Sequence, residues 1–305
     1  MGVKLVWRGR DISDVVNVTA CVHQDACAGQ CDLLTVEMDH ADKWFRWAPQ
    51  MDDTVQVSRD GYASGTLYLS AILPERDTYR VFATSLRGKR QSAAYKSWEE
   101  TTLAAVAADC AAMCGMGVKF YGVNGGTTYK YMLMNGERPA AFLERLAHME
   151  GAILKAVNGS LCLIDVDWAQ GLAPSATMHI YEKRQPNVTH ENLSGQKWAQ
   201  LQIYTPYGEA TAADASAAFG GNCVKNLLPV RDQVTAWRWA NGTLKTFNRQ
   251  NDRLTVTNAE FLPALTAMAH VRVEGDTDAN GDWLAECVTQ DLYNRRTSAE
   301  LVRFV

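Results

Sequence analysis

Through the first ninety residues apolar side chains recur at every second position, and at Ser97 that period lengthens to three and four. A period of two puts side chains on alternate faces of a strand, whereas a period near 3.6 gathers them into a stripe along a helix. Val3, Leu5 and Trp7 share one face. Leu34, Val36 and Met38 repeat the pattern with Thr35, Glu37 and Asp39 outward, and Val55 and Val57 follow Asp52 and Asp53. Asp60 and Gly61 read as a turn, and Leu67 to Ala71 and Arg80 to Thr84 continue the series after Pro74 interrupts it. Short strands at regular spacing predict a small antiparallel barrel or sandwich.

From Ser97 the reading is helical. Ser97 and Glu100 have capping-box spacing, and Leu103, Val106, Ala107, Cys110 and Met113 or Cys114 form one apolar stripe that ends at Gly115. Val118 to Tyr121 reads as a strand, Asn124 to Gly126 as a turn, and Pro139 as the first residue of a second helix lined by Phe142, Leu143, Leu146 and Ala147 and ended by Gly151. Ala152 to Val157 and Ser160 to Val166 flank Asn158 and Gly159, the strongest two-residue hairpin signal. Beyond Gly171 the chain is turn-rich around Pro174, Pro186 and Gly195. Leu201 and Ile203 alternate as in a strand, and Arg231 to Ala240 predicts a short helix closed near Gly242. Period two returns with Val271 and Val273, with Trp283, Ala285 and Cys287, and with Leu301 opposite Val302 and Phe304.

The expected fold class is a β-rich α+β protein with two antiparallel β-barrels and a small helix-strand-helix-hairpin domain between them. The segments are 1–95, 96–168 and 169–305, the last with loop-rich and short helical insertions. A chain of 305 residues allows two or three domains at about 100 to 200 residues each. Hydrophobic and charged shares of 47% and 21% are globular, which argues against disorder. A net charge of -4 supplies no electrostatic basis for non-specific nucleic-acid binding, and no specific nucleic-acid binding is expected. The Arg87 to Arg90 cluster beside Gly88 reads as a solvated loop. No apolar run approaches the roughly 20 residues of a membrane span, and the opening residues lack a signal-peptide core, so stable membrane insertion is not expected. Eight cysteines in such a chain read as reduced thiols.

The residues that could carry chemistry do not assemble into a motif. Cys110 and Cys114 lie four apart on one helix face, but both fall on the apolar stripe, and Cys21, Cys27 and Cys31 lack zinc-site spacing. The histidines at 23, 40, 148, 179, 190 and 270 are scattered. Ser64 misses the nucleophile-elbow spacing by one residue and lies among strands. Asp165 and Asp167 point to one side at the end of a hairpin strand and read as solvated. Gly122, Gly125 and Gly126 do not make a nucleotide-binding loop. No catalytic residue, metal or cofactor is expected. Nine tryptophans and eleven tyrosines serve cores and interfaces alike; Trp44, Trp47, Trp98, Trp237 and Trp239 are each read first as core.

SWEETTLAAVAADCAAMCGMGVKFYG followed by FLERLAHMEGAILKAVNGSLCLID resembles the late control protein D family, the baseplate hub proteins of contractile-tailed phages and related injection systems. Upstream, DLLTVEMDHADKWFRWAPQMDDTVQV is similar to that family's strand, tryptophan and Pro-x-x-Gly-Asp pattern, though without its Gly-Asp pair. Downstream, FLPALTAMAHVRVEGDTDANGDWLAECVTQDLYNRRTSAELVRF is similar to its closing strands. The chain departs at Glu137, Arg138 and Pro139, where the family has Glu-Ser-Asp, and at Gln290, where it has a histidine; Pro174 to Asn251 aligns least. The resemblance implies a homotrimeric, pseudo-sixfold ring of β-barrels in the virion tail baseplate, assembled in a bacterial cytoplasm. Its implied partners are a spike protein and a tail tube or tube-initiator protein. The alternatives are another structural tail protein, such as a distal-tail or tube-end component, and a tail-tip cell-wall hydrolase.

Overall fold

The computed structural model describes residues 2–39, 46–75, 78–88, 91–180, 187–206, 208–217, 220–225, 230–275 and 278–304, the Lys225 side chain excepted. The first part contains strands β1 (Lys4–Trp7), β2 (Arg10–Asp11), β3 (Asn17–Ala26), β4 (Leu33–Asp39), β5 (Thr54–Arg59), β6 (Tyr62–Ala63), β7 (Leu67–Glu75) and β8 (Thr78–Thr84). The middle contains β9 (Ala94–Thr102), α1 (Leu103–Met113), β10 (Gly117–Tyr121), β11 (Thr128–Glu137), α2 (Pro139–Met149), β12 (Ala152–Val157), β13 (Ser160–Asp165) and the short α3 (Val166–Gln170). There follow β14 (Ala176–His179), β15 (Val188–Asn192), β16 (Gln200–Thr205), β17 (Gly208–Ala213), β18 (Asn222–Lys225), α4 (Gln233–Arg249), β19 (Asp252–Glu260), β20 (His270–Glu274), β21 (Gly281–Asp291) and β22 (Arg296–Arg303).

Fourteen strands from both ends of the chain form one sheet, ordered β15-β19-β22-β21-β3-β4-β8-β7-β5-β1-β2 with β6, β14 and β20 at its sides. The fold is thus β-rich α+β, as expected. Among the described residues no sheet closes into a barrel, so only this coarser part of the expected architecture is observed. The alternation read in the sequence places Leu34, Val36 and Met38 of β4 and Val55 and Val57 of β5 in one core with Leu5 and Trp7. Val271, Val273, Trp283, Ala285 and Leu301 occupy a second core at the other end of the sheet.

The hairpin β12–β13 is buried on both faces. Leu154, Leu161 and Leu163 enter a third core with α1 and α2, while Ile153, Cys162 and Ile164 meet Leu284 and Val302 of the large sheet. Asn158 and Gly159, at φ 48° and 70°, make its turn as predicted. The third core also takes Leu201 and Ile203 from β16 and Trp239 and Leu244 from α4. The middle unit is therefore completed by residues far downstream of it.

Three local expectations change. Ser97 and Glu100 do not cap a helix; they lie in β9, paired along its length with β11. The helix begins after Thr102, whose hydroxyl accepts from Ala105 N at 3.2 Å. The period change at Ser97 marks a strand because β11, unread in the sequence, provides the ladder. Pro74 does not interrupt the series but sits within β7, opposite Tyr79 near the end of the β7–β8 ladder.

Gly242 does not close a helix either. α4 runs on to Arg249, starting at the Asp232 cap, because Gly242 is where the helix crosses the turn after α2. A Cβ there would lie 2.1 Å from Met149 O and 2.5 Å from Gly151 N. Gly-to-Ala in a helix interior ordinarily stabilises by up to about 1 kcal/mol. At this crossing the sign reverses: Gly242→Ala is expected to lower unfolding free energy by about 2–3 kcal/mol in a denaturant titration, the usual scale of overpacking. A stabilised variant would show that the helix and turn separate freely.

Candidate functional site

On β3, Cys21, His23 and Asp25 share the buried face, and the last two form a polar line inside the protein. β21 binds the far edge of β3 with Cys287 opposite Ala26 and Asp291 opposite Val22. On β12 the residue beside Ile153 on the sheet-facing side is Lys155, which is buried and reaches across to this line. Its ammonium donates to Asp25 Oδ1, to Ala26 O at 3.2 Å and to Asp32 Oδ1 at 3.5 Å. Asp25 Oδ2 accepts from Ala267 N at 2.9 Å, and Asp32 Oδ1 from Ala26 N at 3.2 Å. One lysine from the middle unit is thus tied directly to β3 and to the β3–β4 loop, and through Asp25 to the C-terminal part.

The charges follow from burial. Burial would lower the lysine pKa, but the Asp25 and Asp32 carboxylates outweigh it and push it up, so the ammonium is not a base at neutral pH. Burial pushes the Asp32 carboxyl up in spite of Lys155. His23, bonded through Nδ1 to the Tyr62 hydroxyl at 2.5 Å, is held neutral: burial lowers its pKa to about 4. These groups form a strut between layers.

Cys21, His23 and Cys27 lie on or beside this line, and the other sequence candidates lie apart from it. Cys110 and Cys114 are fully buried in the third core, and burial lifts both thiols, Cys110 to about 12. All eight cysteines are free thiols. Ser64 is held by the backbone, accepting from Val57 N at 3.0 Å and donating to Gly65 O at 2.9 Å. Asp165 caps α3 through Asp167 N, and Asp167 pairs with Lys245 at 2.6 Å; both have local partners rather than a shared site. Gly122 packs against Trp168, and Gly125 O accepts from Ala104 N at the start of α1. His148, His190 and His270 each face a different carboxylate, Glu144, Asp252 and Asp282. Trp98 and Trp239 are core residues, Trp47 is half-buried on Trp7, and Trp237 is 57% exposed on α4. Arg87 stacks on Tyr68 at the loop. His40, Trp44, Lys89, Arg90 and Pro186 lie outside the described residues. Among the described residues no three His, Cys, Asp or Glu side chains gather as metal ligands, and no helix is long and apolar enough to cross a membrane.

The strut itself was not read from the sequence. The available signal was a lone lysine in a strand, Ala152–Val157, otherwise apolar on both faces.

Two measurements test this centre. Removing one member of a buried ion pair strands the others, so Lys155→Met is expected to lose about 3–5 kcal/mol of stability in denaturant. A loss near zero would show that the carboxylates are solvated. Because the folded-state pKa of His23 lies below its usual value, its contribution is present above pH 6.5 and is lost as pH falls towards 4. The wild type should therefore lose about 3 kcal/mol more than His23→Gln over that interval, followed by thermal unfolding against pH. Parallel curves would overturn the assignment.

No protein-family model matches the sequence, and no curated protein does. Solved structures match along nearly the whole chain. A 43 kDa tail protein of prophage MuSo2 from Shewanella oneidensis is 14% identical at a TM-score of 0.74, covering 99% of this chain and 98% of its own. A tail protein from Neisseria meningitidis MC58 is 12% identical at 0.77, covering 99% and 97%. A component of the E. coli type VI secretion system, described as similar to the T4 tail proteins gp27 and gp5, is 14% identical at 0.58, covering 98% and 76%. The fold of this chain is the one shared by these tail proteins and that secretion component.

Proposed function

We propose that the chain is a structural hub of a contractile phage tail or related injection particle. Three copies form a pseudo-sixfold ring that joins a spike protein on one side to a tail tube or tube-initiator protein on the other. The observation that supports this most is the extent of the likeness in fold: two tail proteins are covered over 98% and 97% of their own length, so the whole architecture corresponds and not one module. The hub role within that group follows the late control protein D resemblance of the hairpin unit.

The structure suits the role physically. The large sheet ends at β2 and β15, and sheet edges offer rows of N–H and C=O groups that a neighbouring copy satisfies. In this reading the β-rich segments 1–95 and 169–305 supply two ring units per chain. Segment 96–168 lies between them, with α4 and β16–β18 docked on it. Exposed Tyr95, Tyr204 and Trp237 are available to interfaces. The chain acts by assembly, without catalysis or cofactor, and resides in the baseplate of the particle.

Light scattering coupled to gel filtration tests this, with and without a candidate spike protein. The expected mass is three times the 33.7 kDa of one chain. A permanent ring interface of about 2,000–5,000 Å² predicts that the trimer survives dilution. A chain that stays monomeric and never binds the spike overturns the proposal.

A further inference from the structure

Arg249 ends α4 with only 2% of its surface exposed. Among the described residues its Nε, Nη1 and Nη2 have no hydrogen-bond partner. Glu286 Oε1 stands 3.6 Å from Nε, outside hydrogen-bond reach, and already accepts a 2.7 Å bond from Gln250 Nε2. Burial lowers the guanidinium pKa even with Glu286 beside it. Leaving the buried donors of a charged group unfilled is costly.

The guanidinium lines a cavity of about 310 Å³, with Cys27, His148, Arg253, Glu286 and Glu300 also on its wall. That is the lower end of volumes that hold small ligands, about 300–1,000 Å³. The planar fork of an arginine matches the two oxygens of a carboxylate. Charge selects among anions. Arg249 and Arg253 face Glu286 and Glu300, and Glu144, paired with His148 at 2.8 Å, adds a further carboxylate near Arg249, so one added negative charge is tolerated better than two. Gln250 Oε1 engages Arg253, so Arg249 is the cavity arginine whose donors carry no hydrogen bond among the described residues.

We propose that this cavity binds a monocarboxylate, held bidentately by Arg249. The carboxylate comes either from a free small acid or from an aspartate or glutamate side chain of a partner chain.

The test is thermal unfolding of the full chain, titrated with propionate and with neutral propionamide at constant ionic strength. A saturable rise in Tm with propionate alone is expected, and it should disappear in Arg249→Met. Glu286→Gln, which removes a like charge from the wall, should bind propionate several-fold more tightly. A blocked tripeptide with a central glutamate, set against its glutamine counterpart, separates the sources. Binding at least tenfold tighter than propionate assigns the site to a partner side chain, and weaker binding assigns it to free acids. Equal responses to propionate and propionamide, or a response that persists in Arg249→Met, overturn the proposal. If Arg249→Met does not fold, Glu286→Gln decides, and unchanged or weakened propionate binding there overturns it.

Discussion

The pairing of β3 with β21 is the constraint on which the rest of the structure depends. It sets Cys287 opposite Ala26 and so joins strands from the two ends of the chain into one sheet. With β4 on its other edge, β3 stands between the N-terminal and C-terminal cores. Its inward face carries His23 and Asp25, and the middle unit reaches that face through Lys155. A slip of one residue would turn both side chains to the opposite face and leave the ammonium buried without its carboxylates. The register and the strut therefore enforce one another.

A second polar centre seats α4. Glu150, just after α2, accepts from the Tyr129 hydroxyl at 2.8 Å and from Trp239 Nε1 at 2.7 Å through one oxygen, and from Arg238 Nε at 2.7 Å through the other. The carboxylate is almost fully enclosed, so these directional bonds fix the rotation of the helix more closely than apolar contact alone would. Gly242 then sets how near the helix comes to the turn beneath it. Both centres work by enclosing charge and pairing it.

Gln290 ties the β19–β20 connection to the sheet. Fully buried on β21, it donates to Leu262 O and Leu265 O at 2.9 and 3.0 Å and accepts from Thr297 Oγ1 at 2.8 Å. A side chain with donors and an acceptor is needed at that point to hold the β19–β20 connection, and an amide meets the need.

What the sequence determined by itself was local. The proline start and glycine end of α2, the Asn158–Gly159 turn, the alternation of β4 and β5 and the burial of Cys110 and Cys114 all follow from neighbouring residues, where propensity and period act directly. What only the tertiary structure decided lies between distant residues. β3 was not legible because its inward positions include His23 and Asp25, polar groups that hide the alternation, and their burial is favourable only once Tyr62 and Lys155 arrive. Ser97 and Glu100 have helix-capping chemistry but were claimed by the β11 ladder, and Gly242 looks like a stop but is a crossing. A side chain's period records which face it prefers; the partner that makes a charge tolerable inside, or that needs a missing Cβ, is set by the packing of segments far apart in the chain.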